Sequence, residues 1–271
     1  MAVLHAPTER LTKLGAFQIQ WRVIKALVYR EIRRRVGDLQ GGFFAVLIEP
    51  MGQVLVWAIL RYVITMSPIV NNLNIILFLV AGVIPFSIYS RIATYGLATM
   101  EANKALLFYR RVKPIDTILA RSVEELGIYS CSAVLLFSAI WLYLGELVLQ
   151  NLPQLVVAFL LVTLLGVATG LLTLVGSFYF LNLKQIMPWV NRILYFTSGV
   201  IIAPVALPQF VREILVYNPI LQCIELARLG LASEYQVPDG INLYYPTGFA
   251  LVYLSLSLWV YTNNERNLLR R

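Results

Sequence analysis

Histidine and cysteine are scarce in this sequence of 271 residues, which contains one histidine, His5, and two cysteines, Cys131 and Cys223. A zinc site takes about four closely spaced ligands, and a disulfide framework needs more cysteines than these. The only histidine stands close to the N-terminus, which argues against a His-dependent catalytic dyad or triad. We therefore expect no metal site and no histidine-based catalysis.

A glycine–lysine pair is also absent from the whole sequence. The Walker A loop, whose backbone cradles nucleotide phosphates, requires that pair. We therefore expect no cofactor in this chain. If the process is driven by ATP, the nucleotide and its Mg²⁺ are bound by a separate partner chain.

Charged residues are also scarce and make up only 13% of the sequence. Hydrophobic residues make up 59%, and the mean hydropathy is +0.74. A soluble domain has about 25% charged and roughly 45–50% apolar residues. This composition excludes a soluble globular protein and a disordered one. The net charge of +8 would suit nucleic acid, but in so apolar a chain we expect it to lie beside membrane lipids. The sequence predicts an integral membrane protein without a nucleic-acid partner.

Six stretches are apolar and long enough to cross a bilayer, which takes about 20 residues. They are 43–66, 75–98, 123–144, 154–180, 188–207 and 244–262. We therefore expect an all-α protein with six transmembrane helices. Its parts are a cytoplasmic N-terminal segment 1–42, a six-span domain 43–262 and a cytoplasmic tail 263–271.

Lysine and arginine are distributed very unevenly between the segments that join these spans. The N-terminal segment, residues 99–122, residues 181–192 and the tail hold 18 of the 22. The alternate segments hold only Arg212 and Arg228, and the remaining two, Arg61 and Arg91, fall within spans. Because cytoplasmic loops carry the excess of lysine and arginine, we expect both termini to be cytoplasmic.

Residues 17–36 have apolar side chains at spacings of three and four, which predicts an amphipathic helix lying in the membrane interface. Near its end stand Arg33, Arg34 and Arg35. These arginines allow two interpretations: a general topological anchor, or a set of cations that meets an anionic lipid or substrate at the inner leaflet.

Two loops are predicted to carry helices of their own. In residues 101–121 a short helix precedes Pro114, and Asp116 is expected to cap the next helix, so the loop is either a docking element for a soluble partner or an ordinary basic loop. Residues 208–243 form a long outer loop with strong apolar periodicity. Two short helices separated by Asn218–Pro219 would fit it, packed on the outer ends of the spans or dipping back toward the bilayer.

These segments resemble the membrane subunit of bacterial ABC exporters for capsular polysaccharide, the group 2 capsule export permeases, over essentially the whole chain. The strongest stretch is Glu101-Ala102-Asn103, Tyr109-Arg110, Val112-Lys113-Pro114-Ile115-Asp116-Thr117-Ile118 and Ala120-Arg121. The supporting stretches are Arg30-Glu31-Ile32-Arg33 with Gly37, Glu49-Pro50, Ile84-Pro85-Phe86, and Asn218-Pro219 with Glu225 and Arg228. Val36 and Ala45 depart from the pattern, since an aromatic residue and a tryptophan are usual there.

The resemblance implies a multi-pass protein of the bacterial inner membrane that works as a homodimer with two cytoplasmic ABC ATPase subunits. It also implies a periplasmic polysaccharide co-polymerase and an outer-membrane exporter as partners. The cargo would be a lipid-linked acidic capsular polysaccharide.

The resemblance also implies roles for two sets of residues. The first set would couple the protein to the ATPase: Glu101, Asn103, Leu107, Tyr109, Arg110, Lys113, Pro114 and Asp116. The second set belongs to the outer loop: Asn218, Pro219, Glu225 and Arg228.

A path for a glycan is predicted from aromatic residues within the spans, because sugar rings stack on aromatic faces and stacking tolerates sliding. The candidates are Trp57, Tyr62, Phe86, Tyr89, Arg91, Tyr95 and Tyr195. Arg91 is included because an arginine inside a membrane needs a partner or water. Lipid contact and helix packing are the alternative explanations for each aromatic residue.

Two other functions remain open at this point. One is an ABC permease for a smaller cargo, such as a teichoic-acid precursor, a drug or a lipid. The other is an integral membrane glycosyl- or acyltransferase, which would need convergent acids or a nucleophile–base pair. The acidic residues scatter singly apart from Glu124–Glu125, which argues against the enzyme.

Overall fold

The computed structural model describes residues 16–37, 42–67, 69–107, 112–144, 149–232 and 234–269. Over these ranges the chain is almost entirely helical. The helices are α1 Ala16–Gly37, α2 Gly42–Thr65, α3 Ile75–Ala102, α4 Lys104–Leu107, α5 Pro114–Leu144, α6 Leu152–Tyr179, α7 Leu183–Thr197, α8 Gln209–Leu215, α9 Pro219–Leu231 and α10 Tyr244–Leu269, with a 3₁₀ turn at Pro204–Ala206. The predicted all-α integral membrane architecture is confirmed.

One short hairpin is the exception to the helical architecture of the described residues. Strand β1, Ile69–Val70, pairs antiparallel with β2, Leu73–Asn74. The two residues between them, Asn71 and Asn72, both have positive φ angles, of 50° and 64°. Asparagine tolerates this backbone region, which a tight two-residue hairpin requires.

Four helices of the described residues are long and apolar enough to cross a membrane. They lie within α2, α3, α5 and α6. The pair α8 and α9, bent by 100° at the Asn218 break, would make a fifth if it counts as one span. The first four predicted spans therefore have matching helices, and α1 confirms the helix predicted over residues 17–36.

The last two predicted spans differ from the structure, so the described residues do not reproduce the expected six. The predicted span 188–207 is wrong in its bounds, because α7 stops at Thr197 and is about 22 Å long at 1.5 Å per residue. Gly199 takes a φ of +67°, which glycine adopts without strain, and irregular backbone follows. Helix α10 is long enough, but its serine, tyrosine and asparagine residues lower its hydropathy, and it continues beyond residue 262.

Helix α3 lies at the centre of the molecule and packs against α2, α5, α6 and α9. Its closest neighbour is α6, and the contact depends on small residues. A Cβ atom on Gly96 would overlap the carbonyl oxygen of Gly170. The hydroxyl of Thr173 donates a hydrogen bond of 2.7 Å to the carbonyl of Ala93, so the two backbones meet directly.

The helix ends meet in two groups. At one end, here called the basic end, Lys113 pairs with Glu265 at 2.9 Å and Lys184 pairs with Glu101 at 2.6 Å. These pairs join the ends of α3 and α10 to the beginnings of α5 and α7, and α1 packs on α5 there. The segments that hold the excess of lysine and arginine thus converge at one end of the molecule. The hairpin, α8 and the end of α9 lie at the other end, here called the outer end after the predicted outer loop that it contains.

Candidate functional site

An open cleft of about 710 Å³ lies between α2, α3 and α7. Its walls combine aromatic rings, amide and hydroxyl groups, and two arginines. The lining residues are Gln53, Trp57, Phe86, Ser87, Ser90, Arg91, Pro188, Asn191, Arg192, Tyr195 and Phe196. The residues of α3 that line the cleft recur at spacings of three or four positions and so share one face of the helix. Helix α7 runs beside that face from the basic end.

The aromatic rings of the cleft form a connected series. Tyr195 lies edge-on to Phe86, with ring centroids 5.0 Å apart, and also approaches Trp57 at 5.9 Å. Phe86 is only 4% exposed and supports the other two rings, so the rings that are partly open to a sugar are those of Trp57 and Tyr195. This arrangement suits a chain that slides through.

Two polar atoms in the cleft lack hydrogen-bond partners among the described residues. They are the hydroxyl of Tyr195 and the carbonyl oxygen Oδ1 of Asn191. The amide of Asn191 donates to the hydroxyl of Thr94 at 2.9 Å, which holds the side chain in place and directs Oδ1 elsewhere. Both atoms are buried, where polar atoms are normally satisfied, so each keeps an unused capacity for a hydrogen bond.

The charge of the cleft is positive. The Arg192 guanidinium lies over the ring of Trp189 at 5.8 Å, and that of Arg91 lies over the ring of Tyr129 at 5.6 Å. Arg91 also forms an ion pair with Glu49 of α2. Two cations beside aromatic rings and amides are chemically suited to an anionic glycan or a phosphate group.

The structure brings four of the seven predicted path residues into the cleft: Trp57, Phe86, Arg91 and Tyr195. Tyr89 is buried between helices instead, where its hydroxyl meets the Thr169 hydroxyl at 3.4 Å. The Tyr95 hydroxyl accepts a hydrogen bond from Asn103 at the basic end, and Tyr62 is exposed elsewhere on α2. Spacing along a helix does not reveal which face meets a cavity, so the sequence alone does not distinguish these three residues from the other four.

The residues predicted to couple with an ATPase divide into exposed and buried groups. Glu101 is 74% exposed, although it pairs with Lys184, and Lys113 is half exposed. Asn103 is buried, and its side chain accepts a hydrogen bond of 2.7 Å from Arg30 of α1. Tyr109, Arg110 and the side chain of Leu107 lie outside the described residues.

Asp116 differs from its expected role as a helix cap. Helix α5 begins two residues earlier, at the buried Pro114, which suits a first helical turn because proline lacks the N–H. Asp116 is 1% exposed, and its carboxylate accepts hydrogen bonds from the backbone N–H of Lys113 at 2.9 Å and from Gln20 of α1. It therefore fixes the loop and α1 from inside the protein and presents no surface for direct contact with a partner.

Sequence reasoning missed a cluster of charged side chains at the basic end, here called the inner cluster. Its members are Arg35, Glu49, Arg91, Arg121, Glu124 and Glu125. Arg121 pairs with Glu124 at 3.0 Å and with Glu125 at 2.5 Å. Adjacent glutamates inside a predicted span were the signal that partners had to exist.

Arg35 links the interface helix to this cluster. Its guanidinium lies 3.1 Å from Glu125, 3.5 Å from Glu124 and 3.3 Å from Glu49. Burial by itself lowers the pKa of Arg35, but the three carboxylates outweigh it and hold the pKa above its usual value. The charge of Arg35 is therefore engaged within the protein.

The other two predicted cations of α1 are placed differently from Arg35. Arg34 pairs with Glu31 at 3.0 Å, whereas Arg33 is exposed. Of the three arginines predicted to meet an anionic lipid or substrate, only Arg33 has no described ion pair.

The predicted outer-loop residues form a second, separate charge site. Arg228 and Glu225 are both 0% exposed and pair at 2.5 Å. The guanidinium also donates to the carbonyls of Gly199 at 2.8 Å and Val200 at 3.1 Å, and it lies 3.6 Å from the centre of the Phe78 ring. This pair, here called the outer pair, thus holds the irregular backbone after α7 against α3 and α9.

Asn218 and Pro219 begin α9 as expected from the sequence. The Asn218 side chain accepts a hydrogen bond from the backbone N–H of Ile220 at 3.0 Å and donates one to the Ser198 hydroxyl at 3.0 Å. Tyr235, in the loop after α9, donates to Glu225 at 3.3 Å, and burial raises the pKa of the Tyr235 hydroxyl. The four predicted residues of the outer loop therefore hold the fold together.

The ABC-2 type transporter family matches residues 22–231 of the chain. The chain belongs to this family, and it is a transport subunit of the membrane, not an enzyme. The transferase hypothesis is therefore wrong.

Among individual proteins, the chain is similar to the polysialic acid transport protein KpsM of Escherichia coli, with 33% identity over 94% of this chain and 98% of that protein. It is also similar to the capsule polysaccharide export inner-membrane protein CtrC of Neisseria meningitidis, with 28% identity over 91% and 92% of the two chains. A third relative is the capsule polysaccharide export inner-membrane protein BexB of Haemophilus influenzae, with 26% identity over 92% and 94%.

Proposed function

We propose that this protein is the inner-membrane permease subunit of an ATP-driven exporter of lipid-linked acidic capsular polysaccharide. The observation that carries the proposal is the cleft between α2, α3 and α7, with its connected aromatic rings and its two arginines. The names of the relatives support a polysaccharide cargo over a smaller one.

The protein acts as a homodimer in this proposal, and the surface of α2 supports that state. Only 22% of the residues in the most apolar window of α2 are buried, whereas 83% are buried in the corresponding window of α3. The exposed apolar side chains of α2 are Phe44, Ile48, Leu55, Val56, Ile59, Leu60, Val63 and Ile64. A second copy placed on this face would bury these apolar side chains against its own.

Two ATPase subunits bind at the basic end, which faces the cytoplasm together with both termini. The exposed side chains of Glu101, Lys104 and Lys113 offer them polar contacts. Behind these residues, Asn103 and Asp116 hydrogen-bond to side chains of α1. A movement of the loop is therefore transmitted to this interface helix. A periplasmic co-polymerase and an outer-membrane exporter receive the polymer at the outer end.

Deleting the gene and locating the polymer tests this function. We expect polymer to accumulate inside the cell while its synthesis continues. Cells that carry the Trp57→Ala or Tyr195→Ala variant instead of the wild type should show severalfold less surface polymer. Each variant should still bind the ATPase. Trp141→Ala, an exposed tryptophan on α5 outside the cleft, is the matched control and should export normally. Absence of polymer altogether would contradict export and indicate a role in synthesis.

A further inference from the structure

The ion pair between Glu49 and Arg91 stands at the boundary of the cleft and is only partly buried. The side chain of Arg91, which lines the cleft, is 31% exposed, and that of Glu49 is 50% exposed. An anion in the cleft can therefore reach the same guanidinium that Glu49 now occupies. Partly exposed ion pairs are also weak enough to exchange partners.

The two oxygens of Glu49 have different partners. Oε1 binds Arg91 and Oε2 lies 3.3 Å from Arg35. Arg35 keeps Glu124 and Glu125 if Glu49 leaves, whereas Arg91 has no second carboxylate within ion-pair distance among the described residues. Removing Glu49 would thus leave one unpaired cation, and that cation lines the cleft.

The backbone beside Glu49 is built to move more easily than a regular helix. Pro50 follows directly and removes a hydrogen bond from the interior of α2. A Cβ atom on Gly52 would meet no atom within 4 Å, so this face of α2 is not packed against another helix of the described residues. Within the described ranges, one other side-chain hydrogen bond joins α2 to α3, a long one of 3.4 Å from the Ser87 hydroxyl to Gln53.

We propose that Glu49 is an internal counter-ion that occupies Arg91 while the cleft is empty, and that an anionic oxygen group of the cargo displaces it. The group is a phosphodiester or a carboxylate. Displacement removes one polar link between α2 and α3 at the basic end, so binding of the cargo favours opening of the cleft. The inference rests on the proposed function, because it assigns the cargo-recognising cation of that same cleft.

Binding of anionic probes to the purified permease–ATPase complex tests the proposal. The probes are phosphatidylglycerol and soluble polysialic acid oligomers, each titrated in phosphatidylcholine nanodiscs and counted by native mass spectrometry. Binding of the lipid indicates a phosphodiester as the displacing group, and binding of the oligomer indicates a carboxylate. In the wild type at least one probe should bind.

Three variants separate an exchangeable counter-ion from a purely structural pair. Glu49→Gln should tighten binding by roughly two- to fivefold, because the competitor is gone. Arg91→Gln should lose the binding, while Arg91→Lys should keep it. The charge swap Glu49→Arg with Arg91→Glu restores an ion pair but places a carboxylate in the cleft, so it should bind as poorly as Arg91→Gln.

Two matched controls lie on α8, away from the cleft: Glu213→Gln and Arg212→Gln, which should both bind like the wild type. Wild-type binding by the charge swap would overturn the proposal, as would weaker binding by Glu49→Gln. The assay does not depend on export. Failure of the proposed function would appear instead as normal surface polymer in cells that lack the protein.

Discussion

The outer pair and the inner cluster both hold charged side chains inside the protein, but they do so in opposite ways. Glu225 and Arg228 are both fully buried, three residues apart on one helix, and the spare donors of Arg228 are used by backbone carbonyls. The inner cluster joins four helices, and its exposure rises from Glu124 and Glu125, at 0%, to Glu49, at 50%.

The difference separates a fixed site from an adjustable one. Breaking a buried pair leaves an uncompensated charge, so the outer pair has to remain intact. In the inner cluster several carboxylates form ion pairs with several guanidiniums, so one ion pair can break while the others remain intact. The outer pair therefore fixes the fold, and the inner cluster is placed to respond to events at the cleft and at the loop.

The largest effect is expected from breaking the outer pair. Arg228→Met leaves Glu225 buried without its partner and should destabilise the protein by about 3–5 kcal/mol. Thermal unfolding of the purified protein in detergent measures this loss. Arg212→Met, at an arginine of the same outer region, is the control and should unfold like the wild type. Equal stability of Arg228→Met and the control would show that the outer pair does not hold the fold.

A smaller effect is expected in the inner cluster. Glu125→Gln weakens the contacts with Arg35 and Arg121, but Glu124 remains beside both arginines. The loss should be about 1.5–3 kcal/mol, the range for hydrogen bonds to charged groups. The same unfolding measurement applies. A loss as large as that of Arg228→Met would mean that the cluster is as rigid as the outer pair.

The smallest change in stability is expected at the surface of the basic end. Glu101→Gln breaks an exposed ion pair with Lys184, which water screens, so thermal unfolding should not change measurably. If Glu101 contacts the ATPase, co-purification of the ATPase should nevertheless fall. Lys184→Gln removes the same ion pair and is the control for the pair itself. Unchanged ATPase recovery with Glu101→Gln would remove this residue from the docking surface.

Local signals made part of this structure predictable. The apolar spacing of residues 17–36 corresponds to α1, and the Asn218–Pro219 step does separate two short helices. Asparagine before proline caps a helix through contacts within a few residues, so no knowledge of the fold was needed.

Long-range contacts account for the errors and the omissions. Helix α7 ends early because Gly199 turns the backbone, and the carbonyls thus released bind Arg228, which is far away in sequence. Tyr89 and Phe86 share a stripe on α3, but Tyr89 meets Thr169 of α6 whereas Phe86 lines the cleft. The partners of Arg35 lie on two other helices, so sequence spacing had no means of indicating them.

The central claim is that the cleft between α2, α3 and α7 carries the acidic polymer. A photo-crosslinking amino acid placed at Phe196, an exposed aromatic residue of the cleft, tests it in exporting cells, with the same amino acid at Trp141 of α5 as the control. We expect irradiation to attach polysaccharide to the protein labelled at position 196 and not to the protein labelled at position 141. Polymer attached at position 141 alone, or equally at both positions, would contradict the claim.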